Sequence, residues 1–258
     1  MNEIVLLPSD QRAAATLIGA LDPPHRIQVV GTFSKLEAVL EKAQPLACLM
    51  DIFDPAPPIP LNALGQLRRR HPGLAVIIAS DFFGREMELY HLGRLRVDGV
   101  IRMEEGPTPR HILGVVDRAI AASLATRVVL TCGGSLPPVG QEAIRWAIEH
   151  AESRPQVSDL VAAMAVKPRS LSREMRALRL GSPRKLLLWG RLVLASHLLE
   201  RSAETVEGTA FRLGYSSGGA LGKALKRHVG YSPTELLNRG GVELAIKVFR
   251  EKIVPIET

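Results

Sequence analysis

In the first half of the chain, apolar residues come in short continuous runs. Longer stretches in which they recur every three or four positions separate these runs. The runs are 4–7, 27–30, 46–50, 74–79 and 99–102. Each is apolar at successive rather than alternate positions and bounded by polar or turn residues, which predicts strands buried on both faces. The intervening stretches predict helices. The first is capped by Ser9 and ends before Pro23-Pro24. The second runs from a capping box at 34–37 to about 42. Two more cover 61–70 and 85–95, and a last runs from Thr108, as cap of Pro109, to about 125. A proline-rich loop fills 51–60. Five strand–helix pairs over 1–126 predict an α/β domain with five parallel strands, open and covered on both faces.

The period changes in the second half. Helical spacing over 139–152 turns Ile144, Ala147 and Ile148 inward, with Trp146 as a packing anchor. Residues 157–233 then read as two helix-turn-helix units flanking one long helix, an all-α domain. The first unit is VSDLVAAMAVKPRSLSREMRAL. Ser158 is the predicted N-cap, and Leu160, Val161 and Met164 make the inner face. Pro168 ends that helix. A second helix follows from Arg169, with Leu171, Met175 and Leu178 on one side and Ser172, Arg173 and Arg176 on the other. The second unit is TVEGTAFRLGYSSGGALGKALKRHVGYSP. Val206, Ala210 and Leu213 face inward, and Gly214 closes the helix. Ser216 or Ser217 caps the next, whose Leu221 and Leu225 face inward. The remaining segments read as a linker over 127–138, with a short strand at 128–131, and a helical extension over 240–258. The linker contains the glycine-rich 131–135, which lacks the lysine of a phosphate loop.

Charge sharpens this division. Residues 1–136 carry 14 basic and 14 acidic side chains, residues 137–239 carry 16 and 9, and residues 240–258 carry 3 and 3. The whole excess of +7 therefore lies on the helix-turn-helix segment, and a polyanion is the partner this implies. With only Cys48 and Cys132, a disulfide framework or zinc module is not expected. No apolar run has membrane-spanning length, and the start MNEIVLLPSD has no basic leader region, so a cytoplasmic protein without a membrane partner is expected. No nucleophile–base pair or ligand cluster is spaced for chemistry, so no enzyme, metal or cofactor is expected.

The segment 157–233 resembles the AraC/XylS family of bacterial transcription factors. Pro168, Leu171, Ser172 and Arg173 carry the resemblance in the first unit. Ser182-Pro183, Arg191-Leu192, Ala195 and Leu198-Leu199 carry it in the connecting helix. Ala210, Leu213-Gly214-Tyr215, Lys223, Leu225-Lys226, Gly230 and Pro233 carry it in the second unit. The resemblance implies an AraC-type DNA-binding domain over 139–239, with double-stranded DNA as partner. It also implies a homodimer and contact with RNA polymerase or a regulatory protein. The candidate DNA contacts are Arg169, Ser170, Ser172, Arg173 and Arg176, then Ser217, Lys223, Lys226 and Arg227. Arginine can bond guanine bidentately, whereas lysine suits phosphates. The matching outward positions of the second unit are Gly218, Gly219, Gly222 and Lys223, so this unit positions more than it specifies.

Residues 1–126 resemble the response-regulator receiver (CheY-like, flavodoxin-like) fold. Asp51 matches the family's phosphoacceptor and Ser80 its switch hydroxyl. Three supporting positions depart. Pro8 and Ser9 stand where paired acids would hold magnesium, and Met103-Glu104 where Lys-Pro is expected. Phosphoryl transfer to a carboxylate needs a metal and a cation. The expectation is therefore a non-phosphorylatable pseudo-receiver, with Asp51 a solvent-facing aspartate at a strand end. Such a domain serves dimerisation or partner and signal sensing. Self-association is expected through 85–95, 99–102 and 108–125, with Arg85, Glu86, Glu88, Arg94, Arg96 and Asp98 free to pair across a two-fold axis. Two other readings are a regulator that titrates a protein partner and a one-component sensor holding a small molecule near Asp51 and Asp81.

Overall fold

The computed structural model describes residues 3–254 apart from 24, 44, 55–57, 96, 133–135, 179 and 202–204. The chain divides into two units, 1–123 and 124–258. The first contains β1 (Glu3–Leu7), α1 (Gln11–Leu21), β2 (Arg26–Val29), α2 (Phe33–Lys42), β3 (Ala47–Met50), α3 (Leu61–Arg70), β4 (Ala75–Ser80), α4 (Glu86–Arg94) and β5 (Gly99–Arg102). The strands are all parallel in the order β2-β1-β3-β4-β5. This is the doubly wound flavodoxin-like order, whose crevice lies beyond the carboxyl ends of β1 and β3.

Both faces of the sheet are buried, as the continuous apolar runs require. Ile4, Leu6, Leu49, Ile77 and Ile101 pack with Leu17 and Ile112 on one face. Val5, Leu7, Cys48, Met50, Val76 and Ile78 pack with Leu36, Leu64 and Leu92 on the other. Cys48 is a core residue, and burial pushes its thiol well above the ordinary cysteine value. Two helix starts differ from expectation. Asp10, not Ser9, caps α1, its Oδ1 accepting the Ala13 N–H at 2.7 Å. Thr32, not Ser34, caps α2, its Oγ1 accepting the Lys35 N–H. In each case the residue immediately before the first helical position is extended, so its oxygen meets the free amides.

The second unit begins inside α5 (Pro109–Cys132), which Thr108 caps. The strand expected at 128–131 and the linker from 127 are corrected here: 127–132 is helical. Val128, Val129 and Cys132 belong to the second unit's core. Their apolar spacing suits a buried helix face as well as a strand, and packing decides between them. Of the glycine-rich stretch, 133–135 lies outside the described residues. There follow α6 (Pro138–Glu149), α7 (Val157–Ala163), α8 (Pro168–Ala177), α9 (Pro183–Arg201), α10 (Val206–Arg212), α11 (Gly218–His228), α12 (Pro233–Asn238) and α13 (Gly241–Ile253).

The second unit is built around α9. Leu186, Trp189, Leu192 and Val193 of α9 are buried. At Gly190 a side chain would strike the Ala147 carbonyl of α6, so glycine permits that close crossing. The extension beyond 240 also joins this core. In α13, Phe249 and Ile253 are buried, and the Phe249 ring meets Trp189 edge-on at 6.0 Å. Among the described residues, no helix is long and apolar enough to cross a membrane.

Candidate nucleic-acid interface

In the first helix-turn-helix unit, α7 opens one residue before the expected cap. Ser158 lies inside the helix, and the Asp159 carboxylate reaches back to accept the Gln156 N–H at 2.7 Å. The turn after α7 places Ala165 at φ 51°. Val166 N–H there donates to Val161 O at 3.4 Å, the six-residue closure of a helix C-terminus. Pro168 does more than break α7: it is the first residue of α8, where a missing N–H costs nothing.

Along α8, Leu171 and Met175 are buried and Leu178 is half-buried, whereas Arg169, Ser172, Arg173 and Arg176 are exposed. At 3.6 residues per turn these four exposed positions span an arc of about 100°. None of their side chains has a hydrogen-bond or ion-pair partner among the described residues. Ser170 is half-buried at the edge of that face. The helix thus presents three guanidinium groups and a hydroxyl on one narrow, unpartnered strip.

The second unit repeats this plan fifty residues on. Leu221 and Leu225 take the places of Leu171 and Met175, and Gly219, Gly222, Lys223 and Lys226 those of the exposed four. Thr205 caps α10, and Gly214 at φ 80° closes it, with Tyr215 N–H donating to Ala210 O at 2.8 Å. Ser217 is the cap of α11, its Oγ accepting the Ala220 N–H at 3.1 Å. The expectation that Gly218 faces outward is corrected. It is buried against α10, and its N–H donates to Glu207 Oε2 at 2.6 Å. A Cβ would sit 2.6 Å from that same oxygen. Gly219 is exposed, with Ser217 Oγ at ordinary contact distance from where a Cβ would stand, and Gly222 lies against Pro233.

The exposed cations of α11 are Lys223, Lys226 and Arg227. Lys226 is occupied: its Nζ lies 2.8 Å from Glu235 Oε2. The same oxygen also accepts the Ser232 N–H in the cap of α12. The Lys226 ammonium, with bonds from Ser232, holds the Glu235 carboxyl down at about 2. Lys223 and Arg227 have no partner among the described residues.

The sequence patterns do not announce the ties that seat the second unit. Arg154, itself at φ 58°, donates through Nη2 to the Phe211 carbonyl at 3.0 Å, and its guanidinium occupies the space beside Gly214. Arg212 pairs with Glu152 at 2.8 Å. These pairs join residues about sixty positions apart, and neither lies on a periodic face.

In the first unit, Asp51 ends β3 at the crevice of the sheet, but it is buried, 2% exposed, and not solvent-facing. Its Oδ1 accepts from Ser80 Oγ at 2.9 Å, from Phe53 N–H at 2.8 Å and from Asp54 N–H at 3.3 Å. These bonds to Oδ1 offset part of the cost of taking the carboxylate out of water. Asp10 is spent as the cap of α1, and Asp81 accepts from Phe83 N–H. Glu104 accepts from Arg102 Nε and Phe82 N–H. Among the described residues, no group of three or more acidic, histidine or cysteine side chains is placed to hold a metal ion.

Residues 160–239 match a protein-family model described as a helix-turn-helix domain. No curated protein matches the chain. Among solved structures, one similar structure is the DNA-binding domain of AdpA, a global transcriptional factor, in complex with a target DNA. It is 32% identical, covering 39% of this chain and 90% of that one, with a TM-score of 0.34. The C-terminal domain of AraT, a response regulator from Geobacillus stearothermophilus, is 24% identical, covering 41% and 88%, with a TM-score of 0.36. RcsB from Salmonella enterica serovar Typhimurium, bound to promoter rprA, is 16% identical, covering 72% and 97%, with a TM-score of 0.36.

Proposed function

We propose that this chain, whose residues 160–239 match a helix-turn-helix domain, is an AraC-type regulator that controls transcription by binding specific duplex DNA. The observation that supports this most is the outer strip of α8, where Arg169, Ser172, Arg173 and Arg176 stand exposed and unpartnered opposite buried Leu171 and Met175. A helix of this kind presented to a major groove can read base edges, with guanidinium groups suited to guanine. The outer face of α11 offers Lys223 and Arg227 for phosphates, and glycines where a base-reading side chain would stand. On this reading the first unit specifies and the second positions.

The N-terminal unit is a pseudo-receiver in this proposal. Asp51 is committed to Ser80 and two backbone amides, and Met103 supplies no cation. Its role is self-association, with RNA polymerase or another regulatory protein as a further partner.

The test is selection of bound DNA from a random library, followed by affinity for selected and scrambled duplexes at several salt concentrations. Each neutralised phosphate steepens the slope of log affinity against log salt by about −0.9. A preferred sequence and a slope steeper than roughly −2 are expected. Absence of salt-dependent duplex binding would overturn the reading. It would favour instead a regulator that titrates a protein partner, which the bare Gly219 and Gly222 of α11 also fit.

A further inference from the structure

We infer that α13 braces α9 and so fixes the separation of the two helix-turn-helix units, restricting the chain to one spacing between the two parts of its DNA site. The spacing rests on the DNA reading above, whereas the brace itself does not. α13 begins at Gly241, beyond the segment 160–239 that matches the helix-turn-helix model. Its contacts set its direction along α9. At its start, Val242 N–H donates to Glu200 Oε2 at 2.8 Å. Further along, the Phe249 ring meets that of Trp189. At its end, the Lys252 carbonyl accepts from Lys185 Nζ at 3.2 Å. Numbers rise along α13 as their partners' numbers fall along α9, so the two helices run side by side and antiparallel.

The end ties suit the helix ends they meet. The first amides of a helix carry partial positive charge and its last carbonyls partial negative charge. Glu200 brings an anion to the first and Lys185 a cation to the second. Glycine is needed at the first tie: Gly241 stands at φ 54°, and a Cβ there would lie 2.5 Å from Glu200 Oε2. The ties also sit where the helix-turn-helix units join α9. Gly181 lies between α8 and α9, and Ile253 Cδ1 is 3.6 Å from where its Cβ would stand. α12 follows α11, and its Leu236 is buried in the same core as Phe249. A second path, α12–α13, therefore joins the units beside α9. A lone helix curves, and packed helices slide past one another. Apolar packing along the seam opposes the curving, and polar ties at both ends oppose the sliding. α9 spans about 28 Å at its rise per residue, close to one duplex turn of about 34 Å, and each inserted base pair displaces the second part of the site by about 3.4 Å. A frame tied at both ends does not follow that displacement.

The test uses the full chain with Glu200→Ala and Lys185→Ala combined, which removes both ties and keeps Trp189 and Phe249. Its far-UV circular dichroism should match the wild type. Lys185→Ala alone, at an exposed position, carries the same readings where the double variant fails to fold. Spin labels at Ser172→Cys on α8 and Lys223→Cys on α11, both exposed, report the separation by pulsed dipolar spectroscopy, since Cys48 and Cys132 are buried. One narrow distance is expected with the ties and a broader distribution without them. Unlabelled protein is then titrated with the selected duplex and with versions carrying one base pair more or fewer between the parts contacted by α8 and α11. The wild type should lose at least about tenfold in affinity for either change, and the variant less than about threefold. A distribution no broader in the variant overturns the brace. A broader distribution with an unchanged spacing penalty overturns its part in recognition. A wild type that binds no duplex overturns the DNA reading, and the distance measurement still decides the brace.

Discussion

Ala165 and Gly214 occupy the same place in the two helix-turn-helix units, and their substitutions should act in opposite directions. Each closes the first helix of its unit in the left-handed region, at φ 51° and φ 80°. That conformation costs an L-residue about 1 kcal/mol, because Cβ crowds the following carbonyl oxygen. Ala165 is exposed, so Ala165→Gly gives up little packing. Glycine returns about 0.5 kcal/mol through the greater freedom of the unfolded chain. The net expectation is a gain of about 0.5 kcal/mol, which at a urea dependence near 1.5 kcal/mol/M raises the midpoint by about 0.3 M. Gly214→Ala carries the same conformational penalty and also drives a methyl group into the Arg154 guanidinium, displacing its bond to Phe211 O. Losing that charged bond adds about 1.5 kcal/mol, so the midpoint should fall by about 1 M. The assay is tryptophan fluorescence in urea. The chain has two tryptophans, Trp146 and Trp189, and both lie in the second unit. A lowered midpoint for Ala165→Gly, or shifts of the same sign for both variants, would refute the reasoning.

Three further outcomes are expected. Arg173→Ala should relax preference at one base pair, by about 1–3 kcal/mol. Lys223→Ala should weaken selected and scrambled duplexes alike and flatten the salt slope by about one unit, and the reverse pattern would invert the roles assigned to the two units. Intact-mass measurement after incubation with a small phosphodonor and magnesium should show no stoichiometric adduct, and an adduct that disappears in Asp51→Asn would contradict the pseudo-receiver assignment. The Glu235 carboxyl is depressed in the folded chain, so its stabilising effect is complete above the ordinary carboxylate value and is lost as pH falls from about 4.5 towards about 2. Glu235→Gln should therefore flatten the acid limb of the urea midpoint, and an unchanged limb would show that the Lys226 pair does not couple to folding.

The sheet and most helices were legible because buried parallel strands and amphipathic helices write their periods directly into the chain. The runs at 4–7, 46–50 and 99–102 and the inward faces of α8 and α11 are of this kind. Three features escaped for identifiable physical reasons. The helix through 127–132 carries apolar neighbours Val128 and Val129, a pattern a strand also shows, and only packing on the second unit distinguishes them. The burial of Asp51 depends on the Ser80 hydroxyl, 29 residues away, and on amides freed by a turn. The seating of Gly218 against Glu207 requires the α10–α11 crossing, which no local spacing encodes. In general, hydrophobic periodicity fixed which face turns inward, while polar tertiary bonds decided which outward residues remained free.

That distinction bears on how the two units divide their work. The first helices of the two units correspond at an offset of forty-nine residues and the second helices at fifty, so the two units share one arrangement of inward apolar positions. Their outer faces differ in the number of side chains able to reach a ligand. α8 keeps Arg169, Ser172, Arg173 and Arg176 unpartnered, whereas α11 has glycine at two corresponding positions and ties a third, Lys226, to Glu235. Each glycine lowers helix stability by roughly 1 kcal/mol relative to alanine. A Cβ at Gly219 would make only ordinary contact with Ser217 Oγ, and one at Gly222 only ordinary contact with Pro233. Packing therefore does not require glycine at either place. If DNA contact at α11 depended on side chains, Gly219→Ala and Gly222→Ala would stabilise the helix at little cost to binding. If it depends on close approach of the α11 backbone to the duplex, both variants should stabilise the fold, raising the urea midpoint, yet weaken DNA binding. We expect the second pattern, since glycine at these two positions of α11 has no packing requirement to satisfy. Equal or tighter DNA binding by both alanine variants would sink that argument.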